Sequence, residues 1–458
     1  MVSTRSSRRS GVGVGVEEDE NRIIVVVTGA NSGYGLGICQ ALLSNLSLPP
    51  GHPVPASTPQ PTALPPSLQH LLSPSSSSSP PLDRGKATKS ISETKPPTLT
   101  LILACRSETK ALEARQTLLE GHEKELSKRE KKGMQSREGW LEGLRIVWEG
   151  LNLDDPGMGG KGNGVLGFCE RLKDGYPHIT TLYLNAGIAA FCGLSYLRFI
   201  KQIVTEGMPR AMSQPGTWQF EEKGVRSADG ERGMVWGTNV FAPYVMIREL
   251  VPLLRRSPHT LPFAPRVIYT SSLTARASKL NEHPLDDFQL LDYPHTYSAS
   301  KYMADLVMVQ LDQEYGQPSG EALSDERPVR IFTVDPGCVT TNLGRANFGS
   351  IALLVKLKFF LYWLAFYICR LLGSPWHPVY ADQGALPMIY AALIPDKYLL
   401  EPSQVPSQKF AVHATRWGKT KVDYGEVDKW EEGEELGRGI VERCEVLRKE
   451  WRRRSGLE

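Results

Sequence analysis

Residues 22–35 read RIIVVVTGANSGYG, and the rest of the chain is organised around that stretch. The β-branched run Arg22–Thr28 stops at Gly29, and Gly33, Gly35 and Gly37 follow. A short apolar run closed by a turn fits a strand buried on both faces of a parallel sheet. The residues after the turn, to about Ser44, read as a helix. In a strand–glycine turn–helix unit the backbone approaches a pyrophosphate closely, and N–H groups at the helix start hold its charge. The candidate contacts are Thr28, Gly29, Asn31, Ser32, Gly33, Tyr34 and Gly35. The spacing departs from GxGxxG, and a glycine-rich loop without a ligand is the plain alternative.

The same alternation continues outward. Thr98–Ala104, Leu144–Trp148, Thr180–Asn185, Arg266–Thr270 and Arg330–Asp335 read as further strands. Helical stretches lie between them: one after the glycine-rich loop Pro156–Gly164 and ending near Lys173, then Val235–Leu254 and Tyr297–Tyr315. Strands alternating with helices predict an α/β fold, a doubly wound parallel sheet of Rossmann type. Ligands of such sheets bind beyond the strand C-termini, at the switch point of the strand order.

One reductase-sized domain over 22–417, with insertions, explains the length better than several domains. Residues 1–21 read as a flexible tail. Residues 49–97 hold 13 of the 33 Pro and the run Ser75–Ser79, so they read as a disordered surface loop. The Lys/Glu-rich stretch 121–139 looks like a second surface insertion, and 193–233 a third. Residues 418–458 read as a charged, solvated or partner-facing extension. No internal repeat is visible.

Composition excludes several classes. The 458 residues are 41% hydrophobic and 22% charged, which is neither a disordered chain nor a polytopic membrane protein. A net charge of +3 gives no field for nucleic acid. Seven Cys without a CxxC pair indicate neither a disulfide framework nor a metal site, and a reducing compartment fits. The N-terminal stretch lacks an apolar core, which argues against a secretory signal.

Tyr297-Ser298-Ala299-Ser300-Lys301 sets a phenol and an ammonium four residues apart, on one helix face. A neighbouring cation favours the phenolate, so Tyr297 becomes able to exchange a proton with a substrate oxygen. Ser271 and Ser272 end the fifth strand at the ligand-facing edge, where a hydroxyl polarises a carbonyl. Asn239 sits in an apolar helix, where it serves packing or anchors a water chain.

Taken together the chain resembles the short-chain dehydrogenase/reductase family. The carrying residues are TGANSGYG at Thr28–Gly35, NAG at Asn185–Gly187, Asn239, Ser272, YSASK at Tyr297–Lys301, and Pro336-Gly337 with Thr341. The resemblance implies Tyr297 as proton donor, Ser272 on the substrate carbonyl, and Lys301 on the nicotinamide ribose. It implies Asn239 on a relay water, Asn185, Ala186 and Gly187 along the cofactor, and Pro336, Gly337, Val339 and Thr341 at the nicotinamide.

One position departs from the family pattern. Asn152 stands where an Asp usually holds the adenine, so an altered contact is expected. The second strand ends Ala104-Cys105-Arg106-Ser107 with no acidic residue for a ribose 2′-hydroxyl. Arg106 suits a 2′-phosphate, which predicts NADPH. A solvated arginine at a helix start is the alternative.

Within the family the chain resembles the 3-ketosteroid reductases of sterol C-4 demethylation, kin of the 17β-hydroxysteroid dehydrogenase type 7 group. Leu285-Asp286-Asp287-Phe288-Gln289, Asn239-Val240-Phe241, Ile247–Leu250, Pro336–Leu343 and the 193–233 insertion carry this likeness. It implies reduction of a 3-keto sterol to the 3β-alcohol, with other C-4 demethylation enzymes as partners. It also implies the cytosolic face of the endoplasmic reticulum membrane, with lipid droplets as a second place. Residues 351–372, IALLVKLKFFLYWLAFYICRLL, are interrupted by Lys356, Lys358 and Arg370, too short a run to span. They suit an interfacial helix with snorkelling cations, or the substrate lid; a core or dimer helix is the alternative. Two other functions compete: reduction of another lipophilic carbonyl, a 17-keto steroid or retinal, and a non-catalytic membrane scaffold.

Overall fold

The computed structural model describes residues 22–49, 98–159, 162–215, 218–261, 263–317, 327–341 and 352–457. The expected tail 1–21 and nearly all of the expected loop 49–97 lie outside these residues, as do Asn342 and Leu343.

Ile23–Thr28 (β1) is wholly buried and pairs in parallel with Leu99–Cys105 (β2). The chain goes on through Leu144–Gly150 (β3) and Thr181–Leu184 (β4) to a separate two-strand hairpin, Phe191–Leu194 (β5) and Gln219–Glu221 (β6). Arg266–Thr270 (β7), Arg330–Asp335 (β8), Gln408–Ala414 (β9) and Thr420–Glu426 (β10) complete the strands. The main sheet has the order β10-β9-β8-β7-β4-β1-β2-β3. Every pairing in it is parallel except β9 with β10. The doubly wound α/β sheet expected from the sequence is therefore present. Its order reverses at β1, between β2 and β4, which places the crevice at the C-termini of β1 and β4.

Helices cover both faces. Gly33–Leu46 (α1) and Glu108–Glu130 (α2) lie on one, where Ile38, Leu42, Ala114 and Leu118 meet the side chains of β1 and β2. Val165–Gly175 (α3) lies on the other. Tyr196–Glu206 (α4) and Met208–Ser213 (α5) belong to the insertion with the hairpin. Ala242–Arg255 (α6) and Thr296–Tyr315 (α7) share the α3 face, through Phe168, Ile247, Leu250, Met303 and Val307. Ala352–Leu371 (α8), Leu386–Leu393 (α9) and Trp430–Arg454 (α10) follow.

Four expectations change. The Lys/Glu-rich stretch 121–139 is not a separate insertion at its start, because α2 runs unbroken to Glu130 with Ala111, Ala114, Leu118 and His122 buried along one stripe. Residues 418–458 are not a solvated extension. They supply β10, and α10 packs on α7 through Gly433, Gly437, Ile440 and Cys444. A Cβ at Gly433 would lie 2.9 Å from Tyr302 Oη, so glycine is what permits this approach. Glu249 on α6, 4% exposed, accepts from Arg448 and Arg452 of α10 and from Lys173.

The third change concerns the helix expected over 235–254. It begins as a single turn, Met234–Trp236, widens into a π-helical turn at Gly237–Phe241, and only then runs as α6. The fourth concerns the apolar segment. The segment is expected to be too short to span, and among the described residues no helix is long and apolar enough to cross a membrane; what changes is the segment's last cation. Arg370 does not snorkel: it is 4% exposed, donates to the Pro378 carbonyl and stacks on Tyr367.

Candidate active site

The glycine turn is locked from below by β4. Thr28 Oγ1 accepts from the backbone N–H groups of Asn185 and Ala186, both at 2.9 Å, and Asn185 Nδ2 donates to Thr28 O at 2.9 Å. Asn185 thus braces the two strands that flank the switch point. Gly29 and Gly33 have φ of +67° and +54°, a region disfavoured for other residues. A Cβ at Gly35 would lie 2.3 Å from Gly29 O. Asn31 and Ser32 stand at the open end, with Ser32 exposed at the start of α1 and no acidic residue in its first turn. Tyr34 turns inward instead, and its hydroxyl donates to Gly384 O at 2.9 Å.

This cradle fits the pyrophosphate of a dinucleotide: glycines where side chains would obstruct, and unpaired N–H groups of a helix start. Arg106 is exposed at the end of β2, beside Ser107, which caps α2. Asn152 follows β3, and its Oδ1 accepts from Asp154 N at 3.3 Å. On the far side, Asp335 ends β8 and accepts from Gly337 N at 2.9 Å, which shapes the Pro336-Gly337 turn. Val339 bridges to Val379, and Thr341 is the last described residue of that loop.

The helix α7 carries Tyr297 and Lys301 on one face toward the end of β7. Ser271 and Ser272 diverge there. Ser271 Oγ donates to Asp305 at 2.7 Å and accepts from Lys409 Nζ at 2.7 Å, so it is held in a buried ion pair. Ser272 is the one beside Tyr297, and its hydroxyl pulls the phenol toward greater acidity. The opposite pull wins. Burial, with Asp335 and Glu221 nearby, pushes Tyr297 up to about 12.

Lys301 Nζ lies 5.9 Å from the centre of the Tyr297 ring. It donates to Thr270 O at 2.7 Å and to Tyr269 Oη at 3.2 Å. Burial, with Lys409 adding to it and Asp305 opposing, brings Lys301 down to about 8. Burial thus outweighs the lowering expected for the tyrosine, and the Ser272 hydroxyl offsets burial only in part.

Asn239 sits in the π turn, fully buried. The widened turn directs its side chain to the loop after β4: Oδ1 accepts from Ile188 N and Nδ2 donates to Ile188 O, both at 2.9 Å. Nδ2 also reaches Ser300 Oγ at 3.0 Å. Its backbone carbonyl accepts from Tyr269 Oη at 3.0 Å. Gly187 closes the same corner, since a Cβ there would lie 3.0 Å from Asn239 Oδ1 and 3.3 Å from Lys301 Nζ.

The structure therefore brings Asn239, Ser272, Tyr297 and Lys301 together, with Gly187 against two of them. Sequence reasoning missed Tyr269, Asp305, Lys409, Glu221 and Phe191. Asp305 was readable as the next residue on the Tyr297–Lys301 stripe of α7; the others are joined only by tertiary pairing. Among the described residues no cluster of His, Cys, Asp and Glu could hold a metal ion.

No family model matches the chain. A protein of Eremothecium gossypii named 3-keto-steroid reductase is 30% identical over 233 residues, 50% of this chain and 58% of that protein. One of Kluyveromyces lactis with the same name is 28% identical over 260 residues, 56% of this chain and 65% of that protein. One of Schizosaccharomyces pombe is 26% identical over 327 residues, 71% of this chain and 80% of that protein. The chain is a homologue of these fungal 3-keto-steroid reductases. The first two matches span under two thirds of the relatives' own length. Among solved structures, the salutaridine reductase of Papaver somniferum aligns over 82% of this chain and 97% of that one, at 18% identity and a TM-score of 0.44. An L-sorbose reductase of Gluconobacter frateurii aligns over 82% of this chain and 91% of that one, at 14% identity and a TM-score of 0.40.

Proposed function

We propose that the chain is an NADPH-dependent reductase of a 3-keto sterol, such as a 4-methyl-3-ketone, which it converts to the 3β-alcohol. The observation that carries this reading is Tyr297 and Lys301 on one face of α7 at the C-terminal end of β7, with Lys301 Nζ 5.9 Å from the centre of the phenol ring and bound to Thr270 O, beside Ser272. The homology to fungal 3-keto-steroid reductases supplies the substrate class.

A bound nicotinamide supplies the hydride for the carbonyl carbon. The chain's own groups do the rest. Ser272 donates to the ketone oxygen and polarises it. Tyr297, pushed up to about 12, stays protonated at neutral pH and gives its proton to that oxygen as charge develops there. One hydride and one proton thus become the new C–H and O–H bonds. Lys301, cationic below about 8, stabilises the phenolate that remains. Asn239 holds the Ile188 loop and, through Ser300, the turn of α7 between Tyr297 and Lys301.

Thr28–Gly35, Asn185–Gly187, Asn152 and Pro336–Thr341 would hold the dinucleotide, and Arg106 its 2′-phosphate. The same reading sets the chain on a membrane surface, at the endoplasmic reticulum, beside the other enzymes of sterol C-4 demethylation. Its support is α8, which exposes Leu357, Phe360 and Leu361 next to Lys356.

The test is oxidation of NADPH by the purified protein across 3-keto sterols, 17-keto steroids and retinal. Turnover of a 3-keto sterol, abolished in Tyr297→Phe, is expected. Turnover confined to the other carbonyls would overturn the substrate class, and sterol synthesis supported in cells by Tyr297→Phe would point to a scaffold.

A further inference from the structure

The β5–β6 hairpin lies outside the main sheet, in the insertion, yet two of its residues reach the tyrosine of α7. Phe191 and Glu221 are direct cross-strand partners. The Phe191 ring packs at 5.9 Å, tilted, against the Tyr297 ring. Glu221 Oε2 accepts from Tyr297 N at 2.7 Å and from Thr296 Oγ1 at 2.5 Å. Tyr297 is the second residue of α7, so its N–H has no partner within the helix. His295, just before the helix, makes no side-chain cap. A carboxylate from a distant segment does that work, and a negative charge there also suits the helix dipole.

We infer that Glu221 is a positioning residue that, with Phe191, seats Tyr297 from the insertion. The inference rests on the proposed reduction only for the consequence in turnover. Phe191 fixes the ring from one side, while Glu221 fixes the backbone from which the ring projects. A main-chain shift at Tyr297 would carry its hydroxyl away from Ser272, and misplacement of about 1 Å costs on the order of 100-fold in rate.

Charge places a second constraint on this contact. Tyr297 faces Glu221 on β6, Asp335 at the end of β8, Ser272 after β7 and Lys301 on its own helix. Glu221 faces Lys279 from the short turn Ala277–Lys279. It also borders an open groove of about 670 Å³ with Arg198, Lys201, Glu206, Lys223 and His295. Burial raises Glu221 above its ordinary range, against the Thr296 and Tyr297 hydrogen bonds. Protonation on the acid side weakens its hold on two donors, so turnover falls as pH falls through that range.

The experiment compares full-length wild type with Glu221→Gln and Glu221→Ala. Amide hydrogen exchange of the peptide spanning Thr296–Lys301 reads the seat without any substrate. The expected result is at least 10-fold faster exchange there in Glu221→Ala, with Glu221→Gln between it and wild type. For turnover, kcat is expected to fall about 10-fold or more in Glu221→Ala, with NADPH affinity unchanged. Partial rescue and loss of the acid limb are expected in Glu221→Gln, whose amide oxygen still accepts but does not titrate. Unchanged exchange in Glu221→Ala overturns the inference. So does an acid limb in Glu221→Gln identical to wild type with equal kcat. Wild-type protein that reduces no ketone refutes the proposed function alone, and the exchange result still decides the seat.

Discussion

Lys301 donates to the Tyr269 hydroxyl at 3.2 Å, and that hydroxyl in turn donates to the Asn239 carbonyl at 3.0 Å. Tyr269 thereby stands between the ammonium and the π turn. An ammonium has three donors. Thr270 O and Tyr269 Oη take two, and Nζ lies 5.9 Å from the centre of the Tyr297 ring.

Tyr269→Phe removes one acceptor from Lys301 and one donor from the buried Asn239 carbonyl. An unsatisfied buried group costs about 1–3 kcal/mol. The expected outcome is a stability loss of that order in denaturant titration, together with a kcat reduced roughly 10-fold, as the ammonium gains freedom to turn. Equal kcat at full folding would show that Thr270 O alone orients Lys301.

Lys301 also sets an alkaline limit. Burial lowers it to about 8, so the cation is complete below that pH and lost as pH rises through it. In the free enzyme kcat/KM should therefore fall across this range. Lys409 pushes Lys301 down and Asp305 pulls it up. Lys409→Met removes the first and frees the second, so the alkaline limb should move to higher pH. The same change leaves Asp305, fully buried, without its ion-pair partner, at an expected cost of about 3–5 kcal/mol. A pH–rate profile and a denaturation curve on one preparation check both halves.

The strands β7 and β8 are legible in the sequence to the residue, because each is a short, mostly apolar run buried on both faces. β9 is not. Its run QKFAVHA interleaves Lys409 and His413 with apolar residues, and each finds an acid elsewhere, Asp305 for the lysine and Asp423 for the histidine. Local pattern holds no trace of such partners. The same physics divides the site. Tyr297 and Lys301 share one helix, so spacing shows their common face. Glu221 and Tyr297 are 76 residues apart, and only the docking of the hairpin joins them.

Arg106 tests the cofactor reading. A charged hydrogen bond from a guanidinium to a phosphate contributes about 1.5–3 kcal/mol, so Arg106→Ala should weaken NADPH binding roughly 10–100-fold. NADH has no 2′-phosphate, and its affinity should hardly change. The arginine is exposed, so the fold should be unaffected. Fluorescence titration of both nucleotides measures the ratio directly. Equal weakening of NADPH and NADH would remove Arg106 from the phosphate and leave the preference to other residues of the turn.

The C-terminal helix makes a last distinction between appearance and packing. Its sequence, WEEGEELGRGIVERCEVLRKEWRRR, is charged enough to read as solvated, yet Ile440 is fully buried and Val446 is 68% exposed. If α10 is part of the domain, the two should respond differently to the same kind of truncation. Ile440→Ala opens a cavity and should cost about 2–5 kcal/mol. Val446→Ala should stay within about 0.5 kcal/mol of wild type. A helix that merely lay on the surface would give two small and similar values. Because α10 packs on α7, which carries Tyr297 and Lys301, the destabilisation at Ile440 should also raise hydrogen exchange along α7, whereas Val446→Ala leaves it unchanged.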